Sequence, residues 1–123
     1  MAKLSVISVQ IPANETSSST ADLGTHQLVA IEMPEAFNGT TITFQSKAKW
    51  QQDVPNQDNL LPEDLDNVYD SAGSQISWTV AAGRIVVPTA AHAAALAPLR
   101  YLRIVSATAQ NPERELRLIV KEA

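Results

Sequence analysis

The sequence predicts an all-β fold, an antiparallel β-sandwich or jelly roll of about eight strands with at most one short helix. Runs that alternate apolar and polar residues, the pattern of half-buried strands, recur along the chain. Turn-forming residues separate these runs at intervals of about 8–12 residues. Helical character is confined to one Ala-rich stretch, 89–98. The 123 residues are enough for one domain with one hydrophobic core.

The first predicted element is a strand or extended arm at residues 3–11. Residues 12–24 are rich in Ser and Thr, a composition typical of a mobile loop or linker. We therefore expect an N-terminal arm and flexible loop at 1–24, attached to a β-sandwich domain at 25–123. Such an arm could pair within its own sheet or add a strand to a neighbouring subunit. Its apolar positions include Leu4, Val6, Val9 and Ile11.

The middle of the chain alternates short strands with turns. A strand at 26–33 is apolar on both faces, which predicts a central position in a sheet. The dipeptide Asn38-Gly39 favours a tight turn, because both residue types accept positive φ. Thr89 is expected to cap the Ala-rich helix, and Pro98 to end it. Further strands are predicted at 40–46, 68–70, 75–80 and 84–87.

Residues 50–65 have no periodicity and form a long, predominantly acidic stretch. A loop of this length in a compact domain is usually functional or mobile, so we expect it to contact a partner. The spacing of its acidic residues does not follow the Asp-x-Asp-x-Asp-Gly pattern of a calcium loop, so no metal is predicted there.

Two alternating strands, 99–106 and 113–122, are predicted to form a hairpin around the polar turn 107–112. Their inner faces carry the apolar residues. Their outer faces carry Tyr101, Arg103 and Arg117, which are expected to face one another across the hairpin. Two interpretations remain open: ion pairs on a solvated surface, or a polar interface with a neighbouring subunit.

Composition argues against several classes of function. The net charge of −4 and pI of about 5.0 disfavour general nucleic-acid binding, which needs concentrated Lys and Arg. No signal peptide and no membrane-spanning run are predicted. The chain has two histidines in unrelated elements and no cysteine, so neither a metal site nor a cofactor is expected. Motifs for nucleophilic catalysis or phosphate binding are also missing, so an enzyme is not predicted.

Three aromatic residues are candidates for stacking on a sugar. Trp78 lies in register with Ile76 and Val80, which favours a place in the core. Trp50 stands at the end of a strand and is the better candidate for an exposed anchor. Tyr69 is the third member of the set.

Four segments, in this order, resemble a group of small virion proteins of tailed phages. An apolar strand ending in Met33-Pro34 is followed by the strand Thr43-Phe44-Gln45. A Tyr-Asp-x-x-Gly turn at 69–73 and the strand Tyr101-Leu102-Arg103-Ile104 complete the similarity, which spans roughly residues 22–120. The insert at 47–66 is longer than in that group, and Asn111-Pro112 precedes the last strand where the group has Ala-Asp-Arg. The resemblance implies a β-sandwich structural protein without catalytic residues. The Tyr-Leu-Arg-Ile strand alone also resembles a strand of discoidin-like carbohydrate-binding sandwiches.

The resemblance implies a head decoration, or cement, protein on the outer capsid surface of the virion. Its partners would be the major capsid protein and further copies of itself, as a dimer or trimer, with neither nucleic acid nor a membrane. The alternatives are a carbohydrate-binding module that takes a surface glycan and an accessory protein of the tail or baseplate. The candidate partner-binding residues are Leu4, Val6, Val9, Ile11, Trp50, Tyr101, Arg103 and Arg117.

Overall fold

The computed structural model describes residues 3–48 and 65–122, without the side chains of Lys47 and Ala48. These residues form nine strands and one helix. The elements are β1 (Leu4–Ile11), β2 (Ala21–Asp22), β3 (His26–Glu32), β4 (Thr41–Ala48), β5 (Asp66–Asn67), β6 (Ser77–Thr79), β7 (Ile85–Val86), α1 (Ala90–Leu96), β8 (Leu99–Ser106) and β9 (Arg114–Glu122).

The strands belong to two antiparallel sheets, so the predicted all-β sandwich is confirmed. Sheet A has the strand order β1-β9-β3-β7. Sheet B has the order β2-β8-β4-β5, and β6 also pairs with β4. The strands run antiparallel in each of these pairings.

The core lies between the sheets and is built from the inward residues of both. Leu116, Leu118 and Val120 of β9 are buried in it, as are Leu102 and Ile104 of β8. Complete burial of an aliphatic side chain of this size contributes roughly 1.5–3 kcal/mol to folding. This shared core holds the two sheets together.

Trp78 is part of the core, as its register predicts. Its ring meets the edge of Phe44, with 4.9 Å between the ring centroids. The indole N–H donates to Nδ1 of His92, at 3.1 Å. Because the indole has a hydrogen-bond partner, burying its polar atom carries little penalty.

The predicted hairpin of the last two long strands is wrong. The strand β8 lies between β2 and β4, whereas β9 lies between β1 and β3 in the other sheet. Alternation shows that each strand buries one face, but it does not distinguish strands that lie side by side from strands that face each other across a core. The residues between β8 and β9 therefore cross from one sheet to the other.

Gln110 organises this crossing and is completely buried. Its Nε2 donates to the carbonyl oxygen of Asn38 at 2.7 Å, and its Oε1 accepts from the N–H of Asn38 at 2.8 Å. Asn38 lies in the connection between β3 and β4, which also joins the two sheets. A Cβ on the next residue, Gly39, would lie 2.7 Å from Oγ1 of Thr108, so the two crossings pack too closely for a side chain there.

Of the two pairings left open for the first strand, the structure shows the one within its own sheet. The strand β1 pairs with β9 along its whole length. The Ser/Thr-rich segment then contributes β2 to sheet B and buries Ala21 and Leu23. Ser18 lies beside β8, where its N–H donates to the carbonyl oxygen of Ile104 at 2.8 Å. The described part of 1–24 is thus an integral part of both sheets.

The predicted helix is confirmed. Oγ1 of Thr89 accepts from the N–H of His92 at 3.2 Å, the N-cap hydrogen bond that the sequence predicts. The strand predicted at 68–70 differs in position, because β5 is formed by Asp66–Asn67 and only an isolated bridge joins Tyr69 to Gln75.

Candidate partner-binding surface

The outer face of sheet A is open to solvent, and its residues follow from the register. Leu116, Leu118 and Val120 point into the core, so the alternate residues of β9 point outward. Residues that are paired across two strands share a face. The outward positions of β1 and β9 are the pairs Leu4 with Lys121, Val6 with Ile119, Ser8 with Arg117, and Gln10 with Glu115.

Three apolar residues at one end of this face form what we call the apolar strip: Leu4, Val6 and Ile119. Leu4 is 67% exposed and Val6 is 57% exposed, and Ile119 is half-buried beside Val6. Scattered surface apolar residues are ordinary, whereas a contiguous group at the edge of a sheet is a candidate contact surface.

The neighbouring part of the face is a belt of paired charges. Nη1 of Arg117 lies 3.8 Å from Oε1 of Glu32, and its Nε lies 3.5 Å from Oε1 of Glu115. The hydroxyl of Ser8 donates to the same Glu115 oxygen, at 3.1 Å. Exposed ion pairs contribute about 0–1 kcal/mol to stability, so the belt mainly fixes the orientation of these side chains.

A groove of about 370 Å³ opens beside the belt. Its charged lining consists of Glu32, Glu35, Glu113, Glu115, Arg114 and Arg117. Arg114 is fixed by hydrogen bonds from Nη2 to Oδ1 of Asn38, at 3.2 Å, and to the carbonyl oxygen of Asn111, at 3.0 Å. Among residues 3–48 and 65–122, no group of three or more His, Asp and Glu is arranged to hold a metal ion.

The candidate residues of the first strand divide between two faces. Leu4 and Val6 are exposed on the outer face, whereas Val9 and Ile11 are buried in the core. Successive residues of a strand point to opposite sides, so even-numbered and odd-numbered positions of β1 separate. Val9 and Ile11 therefore hold the strand in place, and their burial leaves Leu4 and Val6 as the candidates of β1 that a partner can reach in this structure.

Tyr101 and Arg103 are buried, at 7% and 8% exposure, and this corrects the expectation that they are on the surface. Arg103 donates a hydrogen bond to Oε1 of Gln45 on the neighbouring strand β4. The guanidinium carbon of Arg100 lies 5.0 Å from the centre of the Tyr101 ring, a cation–π distance. Because β8 and β9 are in different sheets, Tyr101 and Arg103 do not face Arg117.

Asp22 and Arg100 form a further ion pair, between β2 and β8. Both guanidinium contacts are short, 3.0 Å to Oδ1 and 3.2 Å to Oδ2. Partial burial tends to raise the pKa of Asp22. The hydrogen bonds from Arg100 and from the N–H of Gly24, together with the charge of Arg100, outweigh burial and lower this pKa below its usual value. The carboxylate therefore stabilises the attachment of β2 to the sheet.

Two exposed apolar parts of the surface were not identified from the sequence. Ile119 stands between the inward residues Leu118 and Val120, and the run Leu-Ile-Val conceals that its middle residue points outward. Ile85 and Val87, at the other edge of sheet A, are also exposed. Strict alternation from Leu118 could have identified Ile119. Trp50 and residues 51–64 of the acidic loop lie outside the described residues.

Comparison with known proteins gives no relative. No protein-family model matches the chain, and no curated protein or solved structure is significantly similar to it. Among the described residues, no helix has the length and apolar character needed to cross a membrane.

Proposed function

We propose that this protein is a virion structural protein of a tailed phage, a decoration protein that binds the assembled major capsid protein and stabilises the head from its outer surface. The observation that carries this proposal is the apolar strip at the β1 edge of the outer face of sheet A. The ordered resemblance to small phage virion proteins supports the choice of partner. In this role the chain acts by binding and performs no catalysis.

The rest of the surface is suited to contact with another protein. Charged residues make up only 18% of the chain. Neutral polar groups cost less free energy to remove from water than charged groups do, so such a surface can be covered with a small penalty. The apolar strip would supply the favourable burial, at about 25 cal/mol for each Å² of apolar surface covered.

The proposed mechanism is mechanical. A small sandwich with a continuous core resists deformation, and it would bridge adjacent capsid subunits without changing shape. Each contact is modest, but many copies on one shell repeat it. Linked contacts give an overall affinity far above that of any one of them. The bound layer would thereby oppose expansion of the shell under the pressure of packed DNA.

Co-sedimentation with DNA-free phage shells tests this proposal. The double variant Leu4→Ser/Val6→Ser should lose at least tenfold in shell affinity and remain folded, because both side chains are exposed. Ile85→Ser is the matched control, since Ile85 is 63% exposed at the opposite edge of the same sheet. Failure of the unchanged protein to bind shells would overturn the head assignment, and binding to purified tails instead would favour the tail or baseplate alternative.

A carbohydrate-binding role is the second candidate. It is favoured by one observation, the exposed ring of Tyr69. The core position of Trp78 removes that residue from any stacking surface. Glycan-array binding that disappears in Tyr69→Ala, while Leu4→Ser/Val6→Ser binds normally, would support this role over capsid decoration.

A further inference from the structure

The strand β1 has one edge that is not paired within the described structure. It is the terminal strand of sheet A, with β9 on its other side. The N–H of Glu122 donates to the carbonyl oxygen of Lys3, which identifies Lys3 and the odd-numbered residues after it as the hydrogen-bonded partners of β9. The backbone N–H and C=O groups of Leu4, Val6 and Ser8 consequently point away from β9.

The next even-numbered residue, Gln10, is already occupied. Its N–H donates to Oγ of Ser19 at 3.2 Å, and its carbonyl oxygen accepts from the N–H of Ser19 at 2.9 Å. The free edge therefore consists of the three consecutive outward-directed positions Leu4, Val6 and Ser8. In the part of the chain that the structure describes, no backbone hydrogen bond occupies them on that side.

Among the residues that the structure describes, this edge lacks the features that commonly prevent strands from pairing between molecules. Its eight residues, Leu-Ser-Val-Ile-Ser-Val-Gln-Ile, include no charged residue and no proline. Folded proteins usually protect an exposed edge with Lys, Pro, a bulge or a covering segment. The opposite edge of sheet A shows the contrast in length, because β7 has only two residues.

We propose that β1 pairs with β1 of a second copy of this chain, antiparallel about a two-fold axis at Val6, so that two copies of sheet A form one continuous eight-stranded sheet. A register centred on Val6 pairs Val6 with Val6 of the second copy, and Leu4 with Ser8 in both directions. Each of these three pairs joins positions with free N–H and C=O groups, so each can exchange two hydrogen bonds.

Other registers use the edge less completely. A shift of the centre to Ile7 pairs Leu4 with Gln10, whose backbone groups are bonded to Ser19. A shift toward the N-terminus leaves Ser8 without a counterpart among Leu4, Val6 and Ser8. The edge is also uncharged along its whole length, so bringing two copies together creates no like-charge repulsion. For these reasons the partner that best matches the free edge is β1 of a second copy of this chain.

The pairing also extends the outer face. A two-fold axis perpendicular to the sheet keeps the outer faces of both copies on the same side. The apolar strips would then meet at the axis, with Val6 beside its counterpart. The dimer goes beyond the proposed function and does not depend on it, since it uses the backbone edge and not the identity of a capsid.

Single-cysteine variants test the register directly, because the chain has no cysteine of its own. Val6→Cys should form a disulfide-linked dimer under mild oxidation, since directly opposed Cα atoms about 5.5 Å apart are within disulfide range. Ser8→Cys alone should not, because two Ser8 positions lie roughly 13 Å apart in this register. A mixture of Leu4→Cys and Ser8→Cys should form the mixed dimer, and Ile85→Cys on the opposite edge reports random collision.

A matched pair of charge variants provides an independent readout. Val6→Lys and Val6→Glu should each sediment as monomers, and an equal mixture should recover dimers, because opposite charges then meet at the axis. Val6→Cys linking no faster than Ile85→Cys, or an unchanged chain with the mass of a monomer or a trimer at high concentration, would overturn the proposal.

One further variant separates the dimer from capsid binding. Ser8→Pro removes an edge N–H and the hydroxyl bond to Glu115, while keeping the apolar strip and the backbone hydrogen bonds to β9, and proline is accepted at such a position of an edge strand. It should abolish the dimer and still bind shells at the affinity of a single contact. If the unchanged chain is monomeric and binds shells, the dimer is refuted and the decoration role stands. If it is dimeric and does not bind shells, the decoration role is refuted and the dimer stands.

Discussion

The strands β8 and β9 have similar patterns in the sequence and opposite surroundings in the fold. Each buries a row of apolar residues in the common core. The alternate residues of β8, Tyr101 and Arg103, are buried as well, whereas Glu115 and Arg117 of β9 are exposed. Alternation therefore reports that one face of a strand is covered, and a polar residue on the other face does not establish that this face is in water.

The largest predicted loss of stability comes from the inward rows of apolar residues, and it should be similar for β8 and β9. Leu102→Ala in β8 and Leu118→Ala in β9 each remove a fully buried side chain. Each should lower the free energy of unfolding by about 2–5 kcal/mol, from lost burial and the cavity left behind. Urea denaturation of both variants measures this. A loss below about 1 kcal/mol for either would contradict a shared core.

The next largest loss of stability is expected at Gln110, which lies in the crossing between β8 and β9. Gln110→Ala leaves the N–H and C=O of Asn38 without their side-chain partners in a part-buried place. The expected loss of unfolding free energy is about 3 kcal/mol, because more than one polar group loses its hydrogen bond. Asn111→Ala, at an exposed neighbouring position, is the control for denaturation measurements. Equal stability of the two variants would remove Gln110 from this role.

Replacing the arginines on the two outward faces should change stability by different amounts, whereas replacing the inward leucines should have similar effects. Arg103→Ala removes a buried cation that is hydrogen-bonded to Gln45, and it should cost about 1–2 kcal/mol. Arg117→Ala removes an exposed cation with two long ion pairs, and it should change stability by less than about 0.5 kcal/mol. Thermal and urea unfolding of the two arginine variants would measure this difference. Similar values would mean that burial does not distinguish the two faces.

The smallest expected effect is on the pH dependence of stability at acidic pH. Because the pKa of Asp22 is lowered in the folded protein, the stability it contributes is complete above the ordinary Asp pKa of 3.8 and is lost as the pH falls through the lower folded pKa. Asp22→Asn should therefore reduce stability slightly near neutral pH and make the decline below about pH 4 shallower. Unfolding measured from pH 2 to pH 7, at low and high salt, tests this. An unchanged acid limb would exclude a role for the pair with Arg100.

The local features of the fold were predictable from the sequence, because they depend on near neighbours. Thr89 caps the helix, Trp78 is in the core, and Asp70 accepts from the N–H groups of Ala72 and Ser74 in the predicted turn. Pairing between distant strands was not predictable in the same way. The partners of β1 and β8 depend on which residues cross between the sheets, and only Gln110, a buried amide in a polar stretch, marks the crossing.

The same limit applies to the candidate surface. Leu4 and Val6 were identified from the sequence and are exposed. Val9 and Ile11 were grouped with them, because the strand was expected to be an arm and its two faces were not separated. The burial of Tyr101 was not predictable from the sequence, because the side chains on its face of sheet B come from strands that are far away in the chain.

The pairing of β1 with β9 also determines the order of events during synthesis. The ribosome makes β1 about a hundred residues before β9, the strand with which it pairs in the described part of sheet A. At roughly 5–20 residues per second, β1 waits on the order of ten seconds with both edges open. Sheet B can assemble its long strands β4 and β8 earlier, so the nascent chain would carry a half-built sandwich whose first strand docks last.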